Sequence, residues 1–330
     1  MSEPAVPTKH FHVTRGGVQG IDSGPLNGAV VAIGNFDGVH RGHRAVISAA
    51  LMRARALGSK AAALTFTPHP RLFLRPQDSL FLLSSEHDKL RLLAATGLDG
   101  AIIMKFDAAL AATSAEDFIG KILRGGLGIG GAAIGFDFHF GKNRAGSPTF
   151  LAEQGAQLGF AVDVLPPLED EGRPVSSGAV RAALAAGRVV EATELLGAPW
   201  FVSGKIIHGD KRGRELGFPT ANLKLDSSCG LKHGIYAARV EIAGRRHDGV
   251  ASFGRRPMFD DGAPLLEVFL FDFDGDLYGQ AIDVAFIGWI RHEQKFESID
   301  ALKRHMAADV AQARDALKRV GNAFPVLGDI

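Results

Sequence analysis

Cysteine is nearly absent from this chain: among 330 residues there is only Cys229. A lone thiol makes no intramolecular disulfide and no cysteine zinc cluster, so it reads as a structural residue of a protein from a reducing compartment. An excess of either charge is missing too. Lysine and arginine number 37 against 36 acids, a formal charge of +1. That balance offers no broad field to nucleic acid or an anionic membrane and makes any phosphate recognition local. No stretch has the length and apolarity of a membrane span, and residues 1–10 hold two prolines but no apolar leader core. The expected location is therefore the cytoplasm. Internal repeats and low-complexity tracts are also lacking. What remains, 46% hydrophobic and 22% charged residues, is the composition of a globular protein long enough for two domains.

The densest local signal is the run Gly34 Asn35 Phe36 Asp37 Gly38 Val39 His40 Arg41 Gly42 His43. Before it, residues 29–33 form a short run rich in valine and isoleucine that suits a strand buried on both faces. After it, Ile47, Ala50, Leu51, Ala54 and Leu57 recur at helical spacing until Gly58, a helix-closing glycine. The two histidines thus fall at a predicted helix N-terminus, where backbone amides and the helix dipole favour anions. Gly42 removes a side chain between them, which permits a tight turn and close approach of phosphate. An isolated histidine pair is ordinarily a surface or capping feature. The glycine and the strand-to-helix setting tip this pair toward nucleotidyl transfer.

The first half alternates predicted strands at 29–33, 61–66, 101–105, 132–136 and 160–165 with helical patterns near 43–57, 86–96, 115–123 and 149–158. That alternation predicts an α/β fold with a doubly wound parallel sheet. Loops 35–43, 67–71 and 137–146 would then line its ligand crevice. Helix formers continue to about residue 196, and Gly197 Ala198 Pro199 breaks the pattern. Beyond the break, β-forming segments at 201–207, 235–242, 247–253, 265–273 and 277–290, with a hairpin turn at Asp274 Gly275, predict a small antiparallel barrel. Ile299, Leu302, Met306, Val310, Leu317 and Val320 predict one amphipathic helix packed against it. The expected division is 1–197 and 198–330.

Several further runs accompany the histidine turn: Thr65 Phe66 Thr67 Pro68 His69 Pro70, Gly135 Phe136 Asp137 Phe138 His139 Phe140 Gly141, and Val175 Ser176 Ser177 Gly178 Ala179 Val180 Arg181. The second half holds Gly204 through Asn222, with Pro219 Thr220 Ala221 Asn222 at its end, then Leu265 Leu266 Glu267 Val268 and Asp276 Leu277 Tyr278 Gly279. With these motifs, from about residue 28 to 320, the chain resembles the bifunctional bacterial riboflavin kinase and FMN adenylyltransferase (FAD synthetase) family. The resemblance implies an N-terminal nucleotidyltransferase domain and a six-stranded antiparallel β-barrel with a C-terminal helix.

By that resemblance, the first domain joins AMP from ATP to FMN and releases pyrophosphate. His40 and His43 would contact the ATP phosphates and Arg181 the leaving pyrophosphate, with Gly34, Phe36, Gly38, Gly42, Ser176 and Ser177 at the phosphates. His69, Pro70, Asp137 and Phe138 would face FMN or ATP, although core packing is an equal reading for Phe138 and Phe140. In the barrel, Gly209, Arg212, Gly213, Gly217, Thr220 and Asn222 would bind ATP, with Thr220 and Asn222 also taking Mg2+. Glu267 would act as general base on the ribityl hydroxyl, and Arg291, Glu293 and Phe296 would close on flavin. Departures from the family pattern are Gly178 and Met258 in place of threonine and Ser252 in place of asparagine. The implied partners are small molecules (riboflavin, FMN, FAD and ATP), with neither nucleic acid nor membrane, and weak self-association stays open. Two rivals remain at this stage: a single-activity adenylyltransferase whose barrel only binds flavin, and a non-catalytic flavin carrier. Thr220, Asn222 and Glu267 argue against the first, and the histidines, Arg181 and Glu267 against the second.

Overall fold

The four inner strands of the first sheet, four to seven residues long, expose only Lys105, as expected of strands covered by helices on both faces. A computed structural model describes residues 10–18, 20–170, 172–207, 218–255, 264–275 and 277–330. The chain divides into two compact units: residues 1–80, 85–175 and 326–330 make one, residues 81–84 and 176–325 the other.

In the first unit the strands are β1 (His12–Gly16), β2 (Val30–Ile33), β3 (Ala61–Thr67), β4 (Gly100–Lys105), β5 (Gly131–Gly135) and β6 (Ala161–Leu165), all parallel in the order β1-β4-β3-β2-β5-β6. The winding direction reverses between β2 and β5, the position at which such sheets open a ligand crevice beyond their strand ends. Between them run α1 (Arg41–Leu57), α2 (Pro70–Leu74), α3 (Glu86–Ala94), α4 (Ala108–Ala112), α5 (Ala115–Asp117, continuing as the π-helical Phe118–Gly126) and α6 (Pro148–Gln157). Val46, Ile47, Ala50 and Ala54 form the buried face of α1, and Gly58 closes it in the left-handed conformation at φ 62°. The edge strand β1 was not expected. Its sequence His-Val-Thr-Arg-Gly is mostly polar and only half-buried, so it carries no apolar signature.

The second unit holds α7 (Ser177–Ala185), α8 (Val189–Leu196) and six antiparallel strands: β7 (Phe201–Lys205), β8 (Thr220–Lys224), β9 (Gly234–Ile242), β10 (Arg245–Arg255), β11 (Pro264–Leu270) and β12 (Ala281–Arg291). Their order is β8-β11-β10-β9-β12-β7, and a bridge between Ile207 and Asn222 brings the two edges together into a nearly closed barrel. The tight hairpin is at Ala243 and Gly244, both at positive φ (47° and 76°), as a two-residue turn of the primed type requires. Asp274 and Gly275, expected to make such a turn, lie instead in the longer 271–280 connection. Strand β8 was also unforeseen, hidden within a motif read only for its chemistry.

Contacts part the units between Val175 and Ser176, upstream of the 197/198 break inferred from Gly197 and Pro199. The reason is local: Lys232 donates from its backbone to Leu184 O at 3.1 Å and from Nζ to Ala186 O at 3.4 Å, fastening the end of α7 to the barrel. After the barrel strands comes the last helix, α9 (Ile299–Arg319). Only Asp309, Ala313 and Leu317 of α9 are buried, while Ile299 and Val320 of the expected apolar stripe are exposed. Polar contacts compensate. Arg239, buried, pairs with Asp248 at 2.9 Å and donates to Gly321 O at 2.5 Å and Ala323 O at 3.1 Å, capping carbonyls at the helix end.

Candidate active sites

The strand-turn-helix of the first unit forms as the sequence suggests, but its turn is buried and bent. Phe36, Gly38 and Val39 have φ of 50°, 77° and 43°, costly for an aromatic and a β-branched residue, and Phe36, Asp37, Val39 and His40 are all buried. His40 caps α1, its Nδ1 accepting from the His43 N–H at 3.2 Å. In the neutral ring that acceptor places the proton on Nε2. The two imidazoles stack at 3.6 Å between centroids, and Phe36 meets His43 edge-on at 5.3 Å. A Cβ on Gly42 would stand 3.1 Å from the His40 ring and 3.2 Å from Val175 O, so any side chain there would crowd both. No acid occupies the first turn of α1, which leaves its N-terminal dipole unopposed there.

Other expected residues of this unit have modest local roles. His69 caps α2, its Nδ1 accepting from Arg71 N at 3.2 Å, with Pro70 as the first helical residue. Asp137 is exposed beyond β5, and Phe138, partly buried, stacks on the core residue Phe140 at 5.4 Å. Gly34 ends β2 with its N–H on Leu64 O at 3.1 Å. Ser176, Ser177 and Arg181 belong to the second unit. Ser176 caps α7 through Ala179 N at 3.1 Å, and Arg181 Nε donates to Phe81 O at 2.5 Å.

In the barrel, strand register assembles what sequence separates. Asn222 pairs with Glu267, Glu267 with Ser252, Ser252 with Ile235 and Ile235 with Arg291, one transverse row over five strands. Their neighbours Ala221, Leu223, Ala251, Phe253, Leu266 and Val268 fill the core, so Thr220, Asn222, Ser252 and Glu267 face outward, since alternate residues share a face. Asn222 is 4% exposed, and its Oδ1 is buried without a hydrogen-bond partner among the described residues, while Nδ2 donates to Thr220 O at 3.2 Å. An orphaned buried carbonyl oxygen is costly unless a ligand or cation completes it.

Glu293 lies over this row, its carboxylate against the bare α-carbon of Gly254. Burial pushes the Glu293 carboxyl above the usual glutamate range, as does the nearby charge of Glu267, against the pull of His233 and Arg291. Arg291, expected to close on flavin, is held by α9 and by its own neighbour. Its Nε and Nη2 grip Asp309 of α9 at 2.7 Å each and its Nη1 donates to His292 O, with the guanidinium 5.6 Å from the Phe296 ring. Gly209, Arg212, Gly213 and Gly217, like Met258, lie outside the described residues.

Two cations escaped notice in the sequence. Lys89 of α3 is buried behind the turn, its Nζ 3.3 Å from both Asn35 O and Thr65 Oγ1. Arg44 on α1 has a buried Nε with no partner among the described residues, and burial holds its guanidinium below the ordinary arginine value. Lys89 falls on the apolar side of α3, three and four residues before Leu92 and Leu93, so a charged residue at an apolar position is the sequence signal that marks it.

Comparison with known proteins adds the lineage. The FAD synthetase family model matches residues 23–179 and the riboflavin kinase model residues 196–317. A bifunctional riboflavin kinase/FMN adenylyltransferase of Pseudomonas fluorescens is 42% identical over 292 residues, covering 87% of this chain and 92% of that protein. The Escherichia coli (strain K12) protein of the same description is 38% identical over 300 residues, covering 91% and 96%. A crystal structure titled macrolide-efflux protein, from Streptococcus pneumoniae, superposes with a TM-score of 0.82 at 30% identity, covering 91% of this chain and 99% of that one. No helix among the described residues is long and apolar enough to cross a membrane. With both family models in tandem and such relatives matched along nearly their whole length, the chain belongs to the bifunctional riboflavin kinase/FMN adenylyltransferase family.

Proposed function

We propose that this chain makes FMN from riboflavin and ATP on the outer face of its barrel, and FAD from FMN and a second ATP at the histidine turn. The observation that carries the reading beyond a single-activity adenylyltransferase is the orphaned Asn222 Oδ1, in register with Glu267. A barrel that merely held flavin has no use for a buried, unsatisfied oxygen beside a carboxylate.

In the kinase reaction the ribityl hydroxyl oxygen bonds to the γ-phosphorus of ATP, the bond from that phosphorus to the β-phosphate oxygen breaks, and ADP leaves. Glu267 orients the hydroxyl and accepts its proton late. Thr220 and Asn222 offer neutral oxygens that fit a hard cation shared with ATP phosphates, and Mg2+ is the cation proposed. When bound, it neutralises phosphate charge.

In the adenylyl transfer an FMN phosphate oxygen bonds to the α-phosphorus of ATP and pyrophosphate leaves. The nucleophile is already anionic, so no base is required. His40 and His43 supply donors for the charge that develops on the phosphates, at a helix end that already favours anions. The proposed setting is the cytoplasm, and small molecules are the only partners that the reading needs.

A chromatographic time course with riboflavin, ATP and Mg2+ tests both halves. FMN should rise first and FAD follow at its expense. FAD formation from supplied FMN without any FMN formation from riboflavin would return the chain to the single-activity reading.

A further inference from the structure

Lys89 is an expensive residue where it stands. A buried ammonium costs several kcal/mol in lost hydration unless its surroundings repay it, and a methionine would fill the same space without that cost. Burial pulls the ammonium below the ordinary lysine range, while Asp37 of the turn and Glu86 of α3 draw it back up. The cation nevertheless makes two contacts, both on one feature. It lies 3.3 Å from Asn35 O and from Thr65 Oγ1, and Thr65 Oγ1 itself donates to Asn35 O at 3.1 Å. Both donors thus converge on a single carbonyl at the exit of β2.

That carbonyl belongs to the peptide joining Asn35 to Phe36, which is trans. In a trans peptide the C=O and N–H point in opposite directions. Holding Asn35 O against Lys89 and Thr65 therefore aims the Phe36 N–H away from them, and this N–H has no acceptor among the described residues. Phe36 sits at φ 50°, a conformation that persists only where its surroundings enforce it.

We propose that Lys89 is a positioning residue for adenylyl transfer: with Thr65 it holds the Asn35 carbonyl inward and so presents the Phe36 N–H to the phosphates of the bound nucleotide. The inference rests on the histidine turn being the site of FAD synthesis. A fixed backbone donor stabilises charge developing in the transition state without reorganising, and loss of one such donor costs on the order of 100-fold in rate. Loss of the residue that merely aims it should cost less, roughly tenfold.

The test uses the full chain, whose kinase activity serves as an internal control. Lys89→Met should lower kcat for FMN adenylylation roughly tenfold, with the KM for ATP within threefold and riboflavin phosphorylation within twofold of the parent. Lys89→Gln, which keeps an N–H donor at similar reach, should recover part of the loss. Thr65→Val should give a smaller loss in the same parameter, and the double variant should be no worse than Lys89→Met, because both side chains act on one carbonyl. A purely structural lysine would lower the melting temperature and leave kcat of the folded enzyme intact; that result for Lys89→Met overturns the proposal. Should Lys89→Met fail to fold, an unchanged adenylylation kcat in Thr65→Val overturns it instead. Absence of FAD synthesis in the parent chain would refute the site reading itself, a different failure from a silent Lys89 variant.

Discussion

The two candidate sites are built in opposite ways. The histidine turn is consecutive: strand, buried turn and helix cap are contiguous from Val30 to His43, and His40 and His43 touch because a helix start brings residues three apart together. The barrel row is made by register, joining Asn222, Ser252, Glu267 and Arg291 through four strand pairings. The first kind of site depends on a strained backbone, the second on a sheet held in one alignment. A slip of one residue in any of those pairings would send its side chain into the core.

The sharpest way to break the comparison is to remove chemistry from one site and assay the other. Glu267→Ala should lower FMN formation by about 100-fold to 10,000-fold while leaving adenylylation of supplied FMN near the parent rate. His43→Ala should do the reverse, halting FAD formation so that FMN accumulates. Equal loss of both activities in either variant would contradict two separate sites.

Next in size is the strut that links β12 to α9. Asp309→Ala leaves the Arg291 guanidinium without its carboxylate in a mostly buried place, where breaking a pair costs about 3 kcal/mol. Both tryptophans, Trp200 and Trp289, lie in the second unit, so their fluorescence during urea unfolding reads this loss directly. An Asn222→Ala variant should cost less, about tenfold to 100-fold in kinase rate, accompanied by a higher Mg2+ requirement. An unchanged Mg2+ dependence would show that the orphaned oxygen serves something else.

How much of this was legible in the sequence follows from the same contrast. The turn could be read because every element of it is local: the apolar run of β2, the capping histidine, Gly42 and Gly58. The row could not be read from periodicity at all. Thr220 to Asn222 and Glu267 were recognised only through family motifs, and β8 passed unnoticed because its five residues follow proline in a polar stretch. Lys89 carries a signal of another kind. It lies three and four residues before Leu92 and Leu93, on the apolar side of its helix, and a lysine there points to a buried charge whose partners, Asn35 and Thr65, only the tertiary structure supplies.

Glu293 gives the comparison a pH dependence. Its folded carboxyl holds a proton to higher pH than an unfolded glutamate does, so over the range between those two values the native state binds more protons. Stability of the second unit should therefore fall as pH rises through that range, and Glu293→Gln should flatten the slope. A slope unchanged by the substitution would place its origin elsewhere.

The smallest expected effect concerns Gly178, which replaces the family's threonine. A Cβ there meets nothing closer than Ser176 Oγ at 3.6 Å, and the residue carries no positive φ, so neither space nor backbone demands glycine in the first turn of α7. Gly178→Ala should stabilise the helix by about 0.5 kcal/mol, through a less flexible unfolded chain. The segment was assigned by sequence to the first domain, whereas its contacts place it in the second unit. The gain should consequently appear in the tryptophan-reported transition. If that midpoint stays fixed while the adenylyltransferase activity becomes more heat-resistant, α7 belongs energetically with the histidine turn, and the boundary near residue 197 is the better description.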